Sequence, residues 1–375
     1  MRRTISVALI ASAVWVSACA APSSRPDLPP SASDLVLLKS VRLCDQKDEA
    51  LKRWTGLPVQ RTAWGSGEEI GIPGNRSESG AEESFFFDED GLLVGALFAF
   101  PTGLPLKPYP VLRNTLSQLK PTLEFYLSLT TAPDRTNLDT SGLYRTGDEK
   151  TTTEYIVQRG SSPTLLLASM ALDPYVSLLS AYRPESLARV GKGDKGKSAQ
   201  PASPKSPSAA AFPALQQFAR GETAYFASCG TRDMDRAVAA YEKAIARGIP
   251  DKVQLAEAHH RLGLALAGKG QLTQARAEIE QSLSMRPNSP DVLNSLGTVH
   301  LKLGDREKAI ASLERAITLR PNYPLARYNL GEAYEPVNSK LAIEEYETYL
   351  ALVEGVPEER ERMAKARERI RMLKR

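Results

Sequence analysis

The dipeptide Leu-Gly stands at 262–263, 296–297 and 330–331, a constant interval of 34 residues. Ala275 and Ala309 keep that interval, as do Pro287 and Pro321. Self-similarity at such a period means stacked units, none of which can bury its apolar face alone. Within one unit every position has a packing reason. Leu296 and Gly297 let the first helix lie close on the second, and a bulky side chain at 297 would push them apart. Gly304-Asp305 is the turn between helices, and Ala309 and Ala316 are small contacts toward the next unit. Pro321 ends the second helix because it has no amide hydrogen to donate.

The unit NSLGTVHLKLGDREKAIASLERAITLRPN, read with these intervals, resembles the tetratricopeptide (TPR) family, and the resemblance covers Ala256 to about Ala351. It implies an all-α helical solenoid. The third unit departs from the pattern: Tyr334 to Ala342 is one residue shorter than His300 to Ala309, and Pro336 replaces the turn glycine. Its helices are expected to pair around a tighter corner. Upstream, MDRAVAAYEKAIARGIP reads as a second helix of the same kind, with Ala237, Tyr241 and Ala244 in place. Its partner around LQQFARGETAYFAS is off-pattern, and Gly221 weakens the match. Four hairpins follow, closed by a capping helix over PEERERMAKARERIRMLKR. Met363, Ala366, Ile370 and Leu373 share one face of that helix, and its acidic start and basic end suit the helix dipole.

The other end of the chain reads as an export signal. Arg2 and Arg3 form a basic head, and Ile5 to Ala18 is uncharged, mostly apolar and shorter than the ~20 residues of a spanning helix. Val16-Ser17-Ala18 before Cys19 resembles the lipobox of bacterial lipoproteins; cleavage without lipidation is the alternative. The lipoprotein resemblance implies a diacylglycerol thioether on Cys19 and an acylated amine. With ~0.8 kcal/mol per buried methylene, several acyl chains hold firmly to a bilayer without crossing it. Ala20 in the second mature position implies the periplasmic face of the outer membrane rather than the inner membrane. No later segment is apolar enough to span.

Composition divides the remainder. With 375 residues, 25% charged and 42% hydrophobic, the chain has room for two cores. Residues 1–19 read as the signal, 20–33 as a disordered Pro/Ser/Ala tether, 34–184 as an α+β domain, 185–212 as a basic Pro/Ser/Ala linker, and 213–375 as the TPR solenoid with its cap. From Arg189 to Ser208 the linker holds five basic residues against Asp194. Arg2 and Arg3 leave with the signal, so the formal charge of +4 becomes slightly negative outside these segments. That excludes a nucleic-acid surface. The linker lysines keep it solvated; contact with an anionic surface is the alternative reading.

In the first body, DQKDEALKRWTG offers Asp45 as N-cap, Leu51 and Trp54 on one side, and Gly56 as stop. Ser84–Phe87 and Leu92–Phe100 flank DEDG as a hairpin, and VLRNTLSQLK is a short helix ended by Pro121. TTTEYIVQR and TLLLASMAL flank GSSP as a second hairpin. Helices and β-hairpins together predict an α+β layer sandwich. The run from Asp45 through FFFDEDGLLVGALF resembles the small α+β modules of outer-membrane assembly lipoproteins; a tandem duplication of helix plus hairpin fits as well. Cys44 and Cys229 either pair in an oxidising compartment, stapling the two halves, or lie apart as buried thiols.

Chemistry is sparse. The histidines His259, His260 and His300 all lie within the repeats, so the first body has no Ser-His or Cys-His nucleophile and no His-ligated metal of its own. Asp88, Glu89 and Asp90 suggest calcium, but Leu92 stands where an EF-hand loop needs Asp or Asn, and a solvated turn is expected. His259 and His260 are adjacent on a helix and face different directions. No catalytic residue, metal site or cofactor is assigned. The TPR resemblance instead implies a concave groove lined by His260, Leu264, Asn294, Thr298, Leu301, Tyr328 and Glu332. The positions of the family's chaperone-tail clamp hold His260, Leu264, Ser295, Leu325 and Asn329, so that specificity is absent. Tyr328 is the expected aromatic anchor for a protein or peptide partner. The functional expectation is a membrane-anchored periplasmic adaptor for envelope, pilus or secretion-complex assembly. The alternative is an envelope enzyme or ligand-binding lipoprotein whose first body carries the activity while the repeats recruit substrate.

Overall fold

The computed structural model describes residues 42–57, 59–72, 81–105, 141–147, 150–158, 164–180 and 211–375. The signal with Cys19, the tether, the helix expected over VLRNTLSQLK and linker residues 185–210 lie outside the described residues. Those described fall into two compact units, the chain passing from one to the other between Pro287 and Asn288.

In the first unit, seven strands form one antiparallel sheet in the order β1-β2-β3-β4-β7-β6-β5. They are β1 (Gln60–Trp64), β2 (Gly67–Ile72), β3 (Glu82–Phe87), β4 (Leu93–Pro105), β5 (Ser141–Gly147), β6 (Thr151–Gln158) and β7 (Thr164–Leu172). Both expected hairpins are present, as β3–β4 and β6–β7, and pairing of β4 with β7 joins them into a single sheet. Strands β1, β2 and β5 extend it at the edges and were not foreseen.

The centre of the sheet is buried on both faces. Phe85, Phe86, Phe87 and every residue from Leu92 to Phe100 are buried, which explains an apolar run where a half-exposed strand would alternate. Alternate phenylalanines face opposite layers. On one side, helix α1 (Lys47–Arg53) ends at Trp54, whose ring lies 4.1 Å from Phe85 and 6.5 Å from Phe87. On the other, Phe86 meets Trp64 at 5.1 Å, and Trp64 meets Tyr175 and Phe212 at 6.2 and 5.7 Å. Short helix α2 (Val176–Ser180) packs here because Gly95 has no side chain: a Cβ would come within 2.4 Å of Leu179. Asp45 is not the cap of α1. Gln46 holds that position without a side-chain bond, and Asp45 is buried while its carbonyl accepts from the Leu93 amide at 2.9 Å. Gly56 leaves the helix at φ +87°, as a C-terminal stop does.

Four helical hairpins and a final helix follow. The first unit contains α3 (Phe212–Tyr225) with α4 (Met234–Ala246), and α5 (Lys252–Gly268) with α6 (Leu272–Met285). The second contains α7 (Pro290–Leu303) with α8 (Arg306–Leu319), α9 (Pro324–Tyr334) with α10 (Ser339–Leu352), and α11 (Arg360–Leu373). The architecture is an α+β region followed by helices of a TPR solenoid. Asp233, Asp251 and Asn338 cap their helices with side-chain oxygens. In each hairpin a glycine of the first helix faces a large side chain of the second. A Cβ at Gly297 would stand 2.6 Å from Leu313 Cγ, and Gly263 and Gly331 meet Ile279 and Tyr346 in the same way. Gly221 does this too, against Tyr241 at 2.5 Å, so it supports the repeat geometry it appeared to weaken. The spacing from glycine to partner is 16 residues in the second and third hairpins and 15 in the fourth, as the shorter corner predicts. It is 20 in the first, where the connection between helices contains Cys229.

Gly297→Leu should therefore separate α7 from α8 and destabilise the second unit by about 1–3 kcal/mol, the usual range for overpacking. A lowered midpoint in thermal circular dichroism checks this.

Candidate functional site

Of the residues expected to line a groove, His260 and Leu264 belong to the first unit and the others to the second. In the first, His260 is buried and Leu264 half-buried on α5, while neighbouring His259 engages Glu278 at 2.7 Å. On the same helix Arg261 lies 3.0 Å from Glu257 and 3.4 Å from Glu222, with its guanidinium over the Phe226 ring. Glu222 also accepts from the Tyr241 hydroxyl at 2.6 Å. Burial raises the Glu222 carboxyl above its ordinary value, against the attraction of Arg261.

In the second unit, Asn294 of α7 is buried and its Oδ1 accepts from Asn329 Nδ2 of α9 at 2.8 Å. Asn329 also donates to Thr298 Oγ1 at 3.2 Å, so three polar side chains tie α7 to α9. Leu301 is half-buried, as is Glu332, whose carboxyl is raised by burial and then by the charge of Glu335. Tyr328 is not a groove anchor. It is only 8% exposed, and its ring lies 5.5 Å from Tyr346 and 5.3 Å from Tyr349, with Arg362 of α11 over it. Burial and Glu332 push its hydroxyl up to about 12. The capping helix converts this position into core, so its truncation would damage the fold. Of the residues expected to line a groove, Thr298, Leu301 and Glu332 are the partly exposed ones in this unit.

A second constellation is built around the acidic turn between β3 and β4. Asp88 is buried, which corrects the solvated turn expected there. Its Oδ1 accepts from the amides of Asp90 and Leu92 at 3.0 and 2.9 Å, and its Oδ2 from Arg236 of α4 at 3.2 Å. Arg220 of α3 grips Asp90 with two donors at 2.6 and 2.7 Å and also reaches Glu89. Bidentate pairing of this kind fixes geometry as well as charge. Glu89 further accepts from Gln217 at 2.7 Å and Lys243 at 2.8 Å. Beside it, buried Gln216 donates to the Trp64 carbonyl and accepts from the Ser66 amide, both at 2.8 Å. At the far end of α3, Cys44 and Cys229 form a disulfide with Cα atoms 5.4 Å apart, which settles the two readings of these cysteines in favour of pairing. The sheet and the first hairpin are thus clamped by charge, hydrogen bonds and a covalent bond.

Burial pushes both Asp88 and Glu89 upward. For Asp88 burial prevails; for Glu89 the Lys243 hydrogen bond and the Arg220 charge outweigh it and hold the carboxyl low. Among the described residues no group of three or more His, Cys, Asp or Glu could hold a metal, and no helix is long and apolar enough to cross a membrane.

Comparison with known families matches residues 230–291 to the family described as "Tetratricopeptide repeat" and 299–335 to "TPR repeat". The C-terminal region is therefore a TPR domain, a class of protein-interaction module. Similar solved structures include the MamA protein, with 22% identity over 43% of this chain and 80% of that one, at a TM-score of 0.36. Another is the Yersinia enterocolitica type III secretion chaperone SycD in complex with a peptide of the translocator YopD, with 15% identity over 32% of this chain and 91% of that one, at 0.31. The Arabidopsis OM64 TPR domain shares 16% identity over 33% of this chain and 97% of its own, at 0.30. No curated protein matches the chain significantly.

Two outcomes test the clamp. Reduction, or Cys229→Ser, should cost the first unit about 2–5 kcal/mol, read as a fall in calorimetric midpoint with and without reductant. Glu89→Gln should lower stability at pH 7 by about 1–3 kcal/mol. Because the folded Glu89 pKa lies below its ordinary 4.5, that contribution is present above this value and disappears as pH falls through the folded pKa. Urea titrations of both proteins should therefore converge at low pH.

Proposed function

We propose that this chain is an envelope adaptor, held to a membrane by lipid on Cys19 and capturing a protein partner with its TPR repeats. The observation that carries the binding role is the set of paired helices with glycine at each close crossing, the framework of a protein-interaction module. Three separate features support the anchored, exported setting: the basic head, the short apolar run and the cysteine at position 19. The Cys44–Cys229 disulfide agrees with it, because such bonds persist in oxidising compartments. The outer membrane is the setting that Ala20 favours. The groove residues proposed to contact the partner are Thr298, Leu301 and Glu332, all on the second unit.

Cys19→Ala should leave the protein unprocessed or free of the membrane fraction and should abolish its labelling by radioactive palmitate. Equal label in wild type and variant would remove the anchor from this reading. Cross-linking in intact cells should recover a partner with the wild type. Leu301→Ala with Glu332→Gln should reduce that recovery about tenfold or more, with unchanged helicity.

A further inference from the structure

Helix α11 buries Ala366 and Ile370, with Met363 and Leu373 packed beside them, against Tyr328, Tyr346 and Tyr349. A flank about 100° round the helix from this apolar face follows a different rule. Arg360, Arg367 and Arg371 are separated by seven and four residues, close to whole turns, so they align in one stripe, and Arg375 continues it just past the helix end. All four are exposed. Other basic residues of this region have carboxylate partners: Arg362 with Glu359, Lys365 with Glu361, Arg369 with Glu335 and Lys374 with Glu347. The four stripe arginines have no such partner among the described residues. Exposed Glu361 and Glu368 flank the stripe on its solvent side, and Met372 exposes 48% of its surface beside them.

We propose that this arginine stripe of α11 docks on the anionic phospholipid surface of a bilayer. The positive charge is spread along a line of about 16 Å, from Arg360 to Arg371, and α11 carries no aromatic side chain of the kind that anchors a peptide. A flat field of phosphates complements such a line, and each basic residue near an anionic leaflet gains about fivefold in binding. No long undescribed stretch of the mature chain is a suitable cover: 20–41 is neutral, 106–140 has four basic against three acidic residues, and 181–210 six against two. The inference rests on the anchored reading only for access to a bilayer, and its test omits the lipid.

The mature chain from Ala20 is sedimented with vesicles of phosphatidylcholine alone, or with about 30% phosphatidylglycerol, at about 50 mM and about 500 mM salt. Binding is expected only to the anionic vesicles and only at low salt. Replacing Arg360, Arg367, Arg371 and Arg375 by Gln should reduce it at least tenfold with unchanged circular dichroism. Replacing Lys192, Lys195 and Lys197 by Gln should reduce it less. The proposal is overturned if wild type ignores anionic vesicles at low salt, or if the arginine variant binds as well as wild type. It is also overturned if the stripe is needed to retain the protein on polyglutamate beads but not on vesicles, which would make the partner an acidic protein. Failure of Cys19 labelling leaves every one of these outcomes readable.

Discussion

Three consecutive phenylalanines in one strand cannot all face the same way, and most of this molecule's first unit follows from that. Phe85 and Phe87 need cover on one side of the sheet and Phe86 on the other. Helix α1 supplies the first layer through Trp54, and Trp64, Tyr175 and Phe212 supply the second. Phe212 belongs to α3, which is also the first helix of a repeat hairpin, with Gly221 over Tyr241. One helix therefore meets two packing demands. Gln216, Gln217 and Arg220 satisfy the sheet side, and the glycine satisfies the repeat side. A sequence obeying both can match neither pattern well, which is why this helix looks off-pattern when read as a repeat alone.

The same double demand explains which parts of the fold could be read in advance. The repeats were legible because their contacts are local and recur: Gly297 and Leu313 are 16 residues apart, and Gly263 and Ile279 equally so. The two central hairpins were legible through long apolar strands around turn residues. Strand β1 was not, because QRTAW exposes four of its five residues and shows no alternation. Its place in the sheet is set by pairing with β2 rather than by burying a face.

The candidate sites divide along the same line. A turn at DEDG was read between the two strands, but as a solvated one; Asp88 is buried and binds the amides of Asp90 and Leu92. What could not be read is that Arg220, about 130 residues away, closes on it, because ion pairs at that distance leave no local pattern. The repeat register placed Tyr328 on an inner face, and its neighbour Asn329 bonds to Asn294 and Thr298 of the preceding hairpin. Register alone could not show that α11 folds over the last hairpin and takes this ring into its core. A terminal unit has its own covering element, and inner-face rules drawn from the middle of an array fail there.

The disulfide has a consequence in time. Its cysteines are 185 residues apart, and the one nearer the start of the chain precedes the whole sheet. On the proposed export from the amino end, Cys44 would reach the oxidising space long before Cys229, with Cys19 as the other thiol of the sequence already outside. In the proposed lipoprotein, thioether acylation of Cys19 would remove that competitor permanently, leaving Cys44 and Cys229 to pair. The modification that fastens the chain to a bilayer would thereby also act as a proofreading step in its oxidation.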